Sequence, residues 1–190
     1  MRPVILAAAA FAACAFAPAA LAQSQADLAA VRDTSVVDQT GARLLRDTVT
    51  IHAPPAAVWA ALTDQAAYRA WAAPQSFIDF RVGGVLEVAF TADGKPGDAA
   101  NLKQQIVAYV PERLLVFRNL PSQGGPPGAA AYPKLAIVME LGARPDGATE
   151  VSLSQVGYGT GADFDALYGF FRAHNPEYLA SLKAYAEKAR

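Results

Sequence analysis

Metal sites and nucleophilic active sites are assembled mostly from histidine, cysteine and clustered carboxylates, and this sequence is sparing with them. It has two histidines, His52 and His174, and one cysteine, Cys14. With no cysteine after position 14 and no visible cluster of acids, neither a His/Cys nor a carboxylate-rich metal site can be composed. A serine nucleophile lacks the Gly-x-Ser-x-Gly turn that would expose it. Gly157-Tyr158-Gly159-Thr160-Gly161-Ala162 fits the G-x-G-x-x-A pattern between a strand and a helix. A dinucleotide site also needs a further parallel strand carrying an acidic residue, and none follows. The glycines are therefore expected to turn the last strand into the helix, and no cofactor and no metal are expected.

The remaining candidates are polar residues in step with apolar ones. Gln104 is in phase with Ile106, Arg118 with Val116, and Gln155 with Leu153. A polar group on an inward face must find a partner, so these three are candidates to orient the polar end of a bound molecule. Gln104 and Arg118 are equally compatible with strand ends in water. Phe80, Phe90, Met139, Tyr168 and Phe171 fall on the apolar faces, where they belong either to the core or to a cavity wall. Trp71 either lines the mouth of such a cavity or pins the first helices to the sheet.

These side chains depend on two kinds of element. In the last thirty residues Phe164, Leu167, Tyr168, Phe171, Tyr178, Leu182 and Tyr185 recur at spacings of three and four, which predicts one apolar face of a long helix from Asp163 to Lys188. Pro176 inside it predicts either a kink or two abutting helices, with Asn175 as the cap of the second. His174 near the break is either a general acid or base or a polar group satisfying freed backbone. Upstream, Val36-Val37 and Leu45 to Ile51 flank a turn at Thr40-Gly41, and Pro54-Pro55 open one or two short helices through Trp71, with Asp64 as cap or turn. Strand pairs are expected at Phe77 to Phe90 around Gly83-Gly84, at Leu102 to Arg118 around Pro111, and at Leu135 to Tyr158. Asn119 to Lys134 is a long Gly/Pro-rich stretch that predicts a lid or a disordered tip.

The first 22 residues have a basic start at Arg2, an apolar run from Val4 to Ala17 and the small-x-small ending Ala20-Leu21-Ala22. This order predicts a signal peptide cleaved after Ala22, followed by a linker and an extra strand over 23–43 and a domain over 44–190. The apolar run is too short for a confident membrane span, and it continues past Cys14, which disfavours lipidation there. The expected location is the bacterial periplasm. A chain of 190 residues that is 53% apolar can build a full core without disulfides. Its formal charge of −1 and lack of any basic run leave nucleic acid an unfavoured partner.

Four stretches in order, VTIHAPPAAVWAALTDQAAYRAW, FIDFRVGGVLEV, IVAYVPERLLVF and GATEVSLSQVGY before the long helix, resemble the START-like superfamily, also called SRPBCC. Within it they are most similar to the branch related to the activator of Hsp90 ATPase. Ala72 departs from that pattern, which often has a second tryptophan after Trp71. The resemblance implies an α+β helix-grip fold: a curved antiparallel sheet of about six or seven strands round a C-terminal helix, with a cavity that in many relatives holds a hydrophobic ligand. It supplies no universal catalytic residue. Three functions are compatible with it: an exported protein binding a small hydrophobic molecule, a cyclase- or dehydratase-type enzyme using Tyr168, His174 or Arg118, and an interaction module with a collapsed cavity.

Overall fold

The structure, a computed structural model, describes residues 24–189. The expected signal peptide lies outside the described residues. Nine strands form one antiparallel sheet: β1 (Arg32–Asp33), β2 (Val36–Val37), β3 (Arg43–Ile51), β4 (Gln75–Ile78), β5 (Val85–Ala89), β6 (Leu102–Val110), β7 (Leu114–Asn119), β8 (Ala136–Ala143) and β9 (Thr149–Tyr158). β4 to β9 run as a meander, and β3 closes beside β9, so the early strand and the late one are neighbours. The two-residue strands β1 and β2 both pair with β3. Helices α1 (Pro55–Thr63) and α2 (Gln65–Trp71) follow β3, and α3 (Ala162–Lys188) follows β9.

Local chemistry accounts for these boundaries. The β2–β3 turn forms at Asp38 to Ala42, where Asp38 Oδ1 accepts from the backbone of Thr40 and Ala42, and Gly41 takes a positive φ of 84°. Pro55 opens α1, and Asp64 caps α2 by accepting from the Ala67 N–H at 2.8 Å. The β4–β5 hairpin is shorter than the alternation suggests: Phe80 and Val82 fall in the connection and Phe90 just beyond β5.

Period-two alternation decides which side of the sheet meets α3. Leu45, Val49 and Ile51 of β3, Leu115 and Phe117 of β7, Ile137 and Met139 of β8, and Val151 and Leu153 of β9 are buried. The opposite face is polar, with Thr34, Thr48 and Ser152 hydroxyls in succession and Arg46 donating to Ser154 Oγ at 2.9 Å.

Helix α3 is unbroken. Pro176 lies within it, so neither the two-helix arrangement nor the Asn175 cap is present: Asn175 is a buried interior residue. The helix tolerates the lost hydrogen bond because tertiary packing holds both sides of it. Leu179, Leu182 and Ala186 enter the main apolar cluster, while Leu167 enters a second cluster with Leu45, Tyr132, Leu135 and Tyr158. A short helical segment at 24–29 packs at the far end of α3, where Lys183 Nζ lies 3.8 Å from Asp27 Oδ1 and 2.5 Å from Glu187 Oε1. Glu187 also accepts from the His52 N–H at 2.6 Å. Among the described residues no helix is long and apolar enough to cross a membrane.

The sheet does not close, and α2 covers its β4 edge. Arg69 donates through Nε and Nη2 to the Ser76 carbonyl, at 3.0 and 2.6 Å, and Gln65 Oε1 accepts from the Ile78 N–H at 3.1 Å. Arg69 also sits over the Phe77 ring. Truncating Leu182, fully buried where α3 meets the main cluster, is expected to lower stability by about 2–4 kcal/mol. Urea unfolding of Leu182→Ala checks this; a loss well under 1 kcal/mol would mean that the helix is not held there.

Candidate functional site

Between the two apolar clusters the helix stands off the sheet, leaving a cavity of about 530 Å³. The sheet supplies Val88, Gln104, Phe117, Ile137, Met139, Leu153 and Gln155, and α3 supplies Phe170, Phe171, His174, Asn175 and Tyr178. Tyr68, Ala72, Tyr132, Phe90 and the backbone-rich run Gly124 to Pro127 complete the lining. The long 119–134 connection is thus packed as part of the wall. Leu120 N–H donates to Lys103 O at 2.9 Å, Ser122 Oγ donates to Asn101 O at 2.7 Å, and Ala131 and Tyr132 are buried. Gly128, at φ 81°, lies where a Cβ would collide with the Asp163 carbonyl, so the connection can approach the first turn of α3 so closely only through glycine.

The polar groups of the cavity are fixed by their neighbours. Tyr158 donates its hydroxyl proton to Gln155 Oε1 at 2.8 Å, which fixes the way round of the buried amide. Gln104 Nε2 donates to Asn119 Oδ1 at 3.2 Å, and Asn119 Nδ2 reaches the Tyr132 carbonyl at 3.4 Å. The Tyr68 and Tyr178 hydroxyls lie 3.4 Å apart. Burial pushes the Tyr132 phenol up to about 12 and raises Tyr68 and Tyr178 as well, so all three stay protonated as hydrogen-bond donors. His174 sits exposed at the rim, stacked on Phe170, with Nδ1 2.7 Å from the Phe170 carbonyl. A carbonyl only accepts, so Nδ1 is the donor in this contact.

Of the residues proposed from sequence, Phe90, Gln104, Met139, Gln155 and Phe171 come together round this space. The other four do not. Trp71 packs between Tyr68 and Tyr178, at 5.2 and 4.9 Å between ring centroids, and donates to the Ala61 carbonyl: it pins the helices. Phe80 packs with Trp59 and Tyr109 away from the cavity. Arg118 points outward, its Nη2 2.6 Å from Gln105 Oε1, because the inward residues of β7 are Leu115 and Phe117. Tyr168 packs on Tyr158 and under the Arg43 guanidinium in the second cluster.

Two functional candidates were missed. Asn175 is 5% exposed, lines the cavity, and its enclosed Nδ2 has no hydrogen-bond partner among the described residues. Opposite it, Asp47 occupies an inward position of β3 at 2% exposure, with Oδ2 unpartnered among the described residues. Burial pushes the Asp47 carboxyl up to about 6, and the negative charge of Asp33 adds to this; the Asn175 amide and Arg172 act against it. The amide lies against the carboxylate, yet neither Asp47 Oδ2 nor Asn175 Nδ2 completes a hydrogen bond of good geometry. Asp47 was visible in principle, since it is in phase with Leu45, Val49 and Ile51. Among the described residues no group of three His, Cys, Asp or Glu side chains could hold a metal ion.

A curved antiparallel sheet gripping one long helix over a ligand-sized space defines a helix-grip domain of the START-like type. Residues 52–187 match the family described as activator of Hsp90 ATPase homolog 1-like protein, and the chain belongs to that family. Its fold is similar to the solution structure of the Aha1 dimer from Colwellia psychrerythraea, at 16% identity and a TM-score of 0.60, covering 76% of this chain and 96% of that one. It is also similar to an AHSA1-like protein from Aeromonas hydrophila, at 19% identity and a TM-score of 0.53, covering 76% and 93%. CalU16 from Micromonospora echinospora aligns at 17% identity with a TM-score of 0.55, covering 83% and 86%. No curated protein matches the sequence.

The raised Asp47 pKa sets a pH dependence. An acid whose folded pKa lies above its ordinary 3.8 holds its proton more tightly when folded, so stability is greatest below that value and falls as pH rises toward about 6. Asp47→Asn is expected to stabilise the fold by about 1–3 kcal/mol near pH 8, a gain that shrinks as pH falls through about 6 toward 4. Denaturant unfolding at several pH values checks it, and a gain independent of pH would contradict it.

Proposed function

We propose that this protein binds a small, largely apolar molecule between the sheet and α3, and that it does so as an exported protein of the bacterial envelope. The observation that carries the reading is the cavity of about 530 Å³. Its size, mostly apolar wall and few fixed polar groups are those of a small-molecule site. The binding energy comes from burying the ligand's apolar surface, roughly 25 cal/mol per Å². An interaction module with a collapsed cavity does not fit a space of this size. Export is supported by the charge and hydropathy order of the first 22 residues.

A second reading, the cyclase- or dehydratase-type enzyme, is favoured by one observation: His174 stands at the rim, and its Nε2 makes no hydrogen bond among the described residues. Tyr168 and Arg118 offer it nothing, because neither lines the cavity. The two readings part at His174→Ala. A binder keeps its affinity within about twofold, whereas a catalyst loses turnover by orders of magnitude.

Ala72, at the end of α2, offers a direct test because it lines the cavity and a large side chain there would take up its space. Natively exported protein is expected to carry a small molecule detectable by native mass spectrometry, and Ala72→Trp is expected to reduce its occupancy at least about tenfold. Protein that carries no small molecule and takes up no apolar fluorescent probe would remove the binding reading.

A further inference from the structure

We propose that residues 24–37 form a latch along the β3 side of α3, and that its grip on the domain loosens when Asp47 is ionised. The latch does not depend on what the cavity holds.

The segment is fastened mostly by polar contacts. Asp27 Oδ1 lies 3.8 Å from Lys183 Nζ, Asp33 Oδ2 lies 3.3 Å from Arg172 Nη2, and the Thr34 N–H donates to the Arg46 carbonyl at 2.8 Å. Its two strands are two residues long each and pair only with β3. Val31 packs against the main apolar cluster, but Leu28, Val36 and Val37 are exposed. Solvated ion pairs and single hydrogen bonds hold weakly, so a change of charge at one contact is enough to shift the balance.

That contact is Asp33 against Asp47. The β1–β3 register sets the two directly opposite each other, which puts both side chains on one face at a separation where like charges destabilise a strand pair. Asp33 stays ionised, because hydrogen bonds from Ser35 and the Arg172 guanidinium hold its carboxyl below the usual range. Asp47 is buried, its Oδ2 is unpartnered among the described residues, and burial with the Asp33 charge pushes its carboxyl up to about 6. Protonated, Asp47 leaves Asp33 alone with Arg172. Ionised, it repels Asp33 and competes with it for that guanidinium. The other groups round Asp47 do not titrate: Asn175 from α3, Leu153 opposite on β9, and Leu45 and Val49 on β3 itself. The next cluster of charges, Asp27, Lys183 and Glu187, lies two turns further along α3. Lifting the segment hydrates Asp47 and parts it from Asp33, which returns the carboxyl to ordinary acidity. The closed latch therefore binds the proton more tightly and is favoured at low pH, and it loses that advantage as pH rises through about 6.

Amide hydrogen exchange of the natively exported protein, followed by NMR and expressed as protection factors, tests this. Amides of residues 32–37 are expected to exchange through an opening that leaves β8 and β9 protected, and their protection is expected to fall about tenfold from pH 5 to pH 7.5. In Asp47→Asn the fall should disappear. In Asp33→Asn, at an exposed position, it should shrink to about threefold or less. A segment that exchanges only together with β8 and β9, protection that does not change with pH, or the same tenfold fall in Asp47→Asn overturns the latch. Should Asp47→Asn fail to fold, an undiminished fall in Asp33→Asn overturns it by itself.

Discussion

Helix α3 is held to the sheet at two places and released between them. Leu179, Leu182 and Ala186 fix one end in the main apolar cluster, and Leu167 fixes the other in the cluster with Tyr132 and Tyr158. Burying each of the three leucines contributes about 1.5–3 kcal/mol, so either cluster alone is a substantial clamp. The intervening turn carries Asn175 where a third apolar contact would otherwise sit. Its amide faces the Asp47 carboxylate of β3 and adds no apolar contact of its own there. The same double clamp lets α3 carry Pro176 without breaking.

The character of the space follows from that arrangement. Its walls are the inward side chains of five neighbouring strands, hence apolar, and its polar groups are amides and phenols anchored by one another. Burial keeps those phenols protonated at any physiological pH. Among the described residues no Asp, Glu, Lys or Arg lines the space, and the Asp47 carboxylate lies behind Asn175. The site thereby combines hydrogen-bonding direction with electrical neutrality, which suits selection of a guest by shape and dipole.

The architecture was legible from alternation and helical spacing because both report burial directly. Asp64 as a cap, the turn at Gly41 and the strand pairs from Leu102 onward all carry local chemistry that survives folding. The site was legible only in part. Gln104 and Gln155 sit in strands that alternate cleanly, so their facing was evident. Arg118 follows the unbroken apolar run Leu114 to Phe117, which gives no phase, and its strand was assigned the wrong parity. Phe80 and Tyr168 do face apolar surroundings, yet spacing cannot say which cluster they join. Asn175 before Pro176 resembles a helix start so closely that its burial inside one continuous helix had no local signal.

The cover that α2 places on β4 has a consequence beyond the site. An unclosed sheet presents a row of unpaired amides and carbonyls at its margin, which invites a passing chain to add itself as another strand. Here Arg69 and Gln65 hold the Ser76 carbonyl and the Ile78 amide, and the two short N-terminal strands shield part of the other margin along β3. The molecule can therefore keep an open-sided sheet, with room for a guest, while offering little purchase for polymerisation at either border.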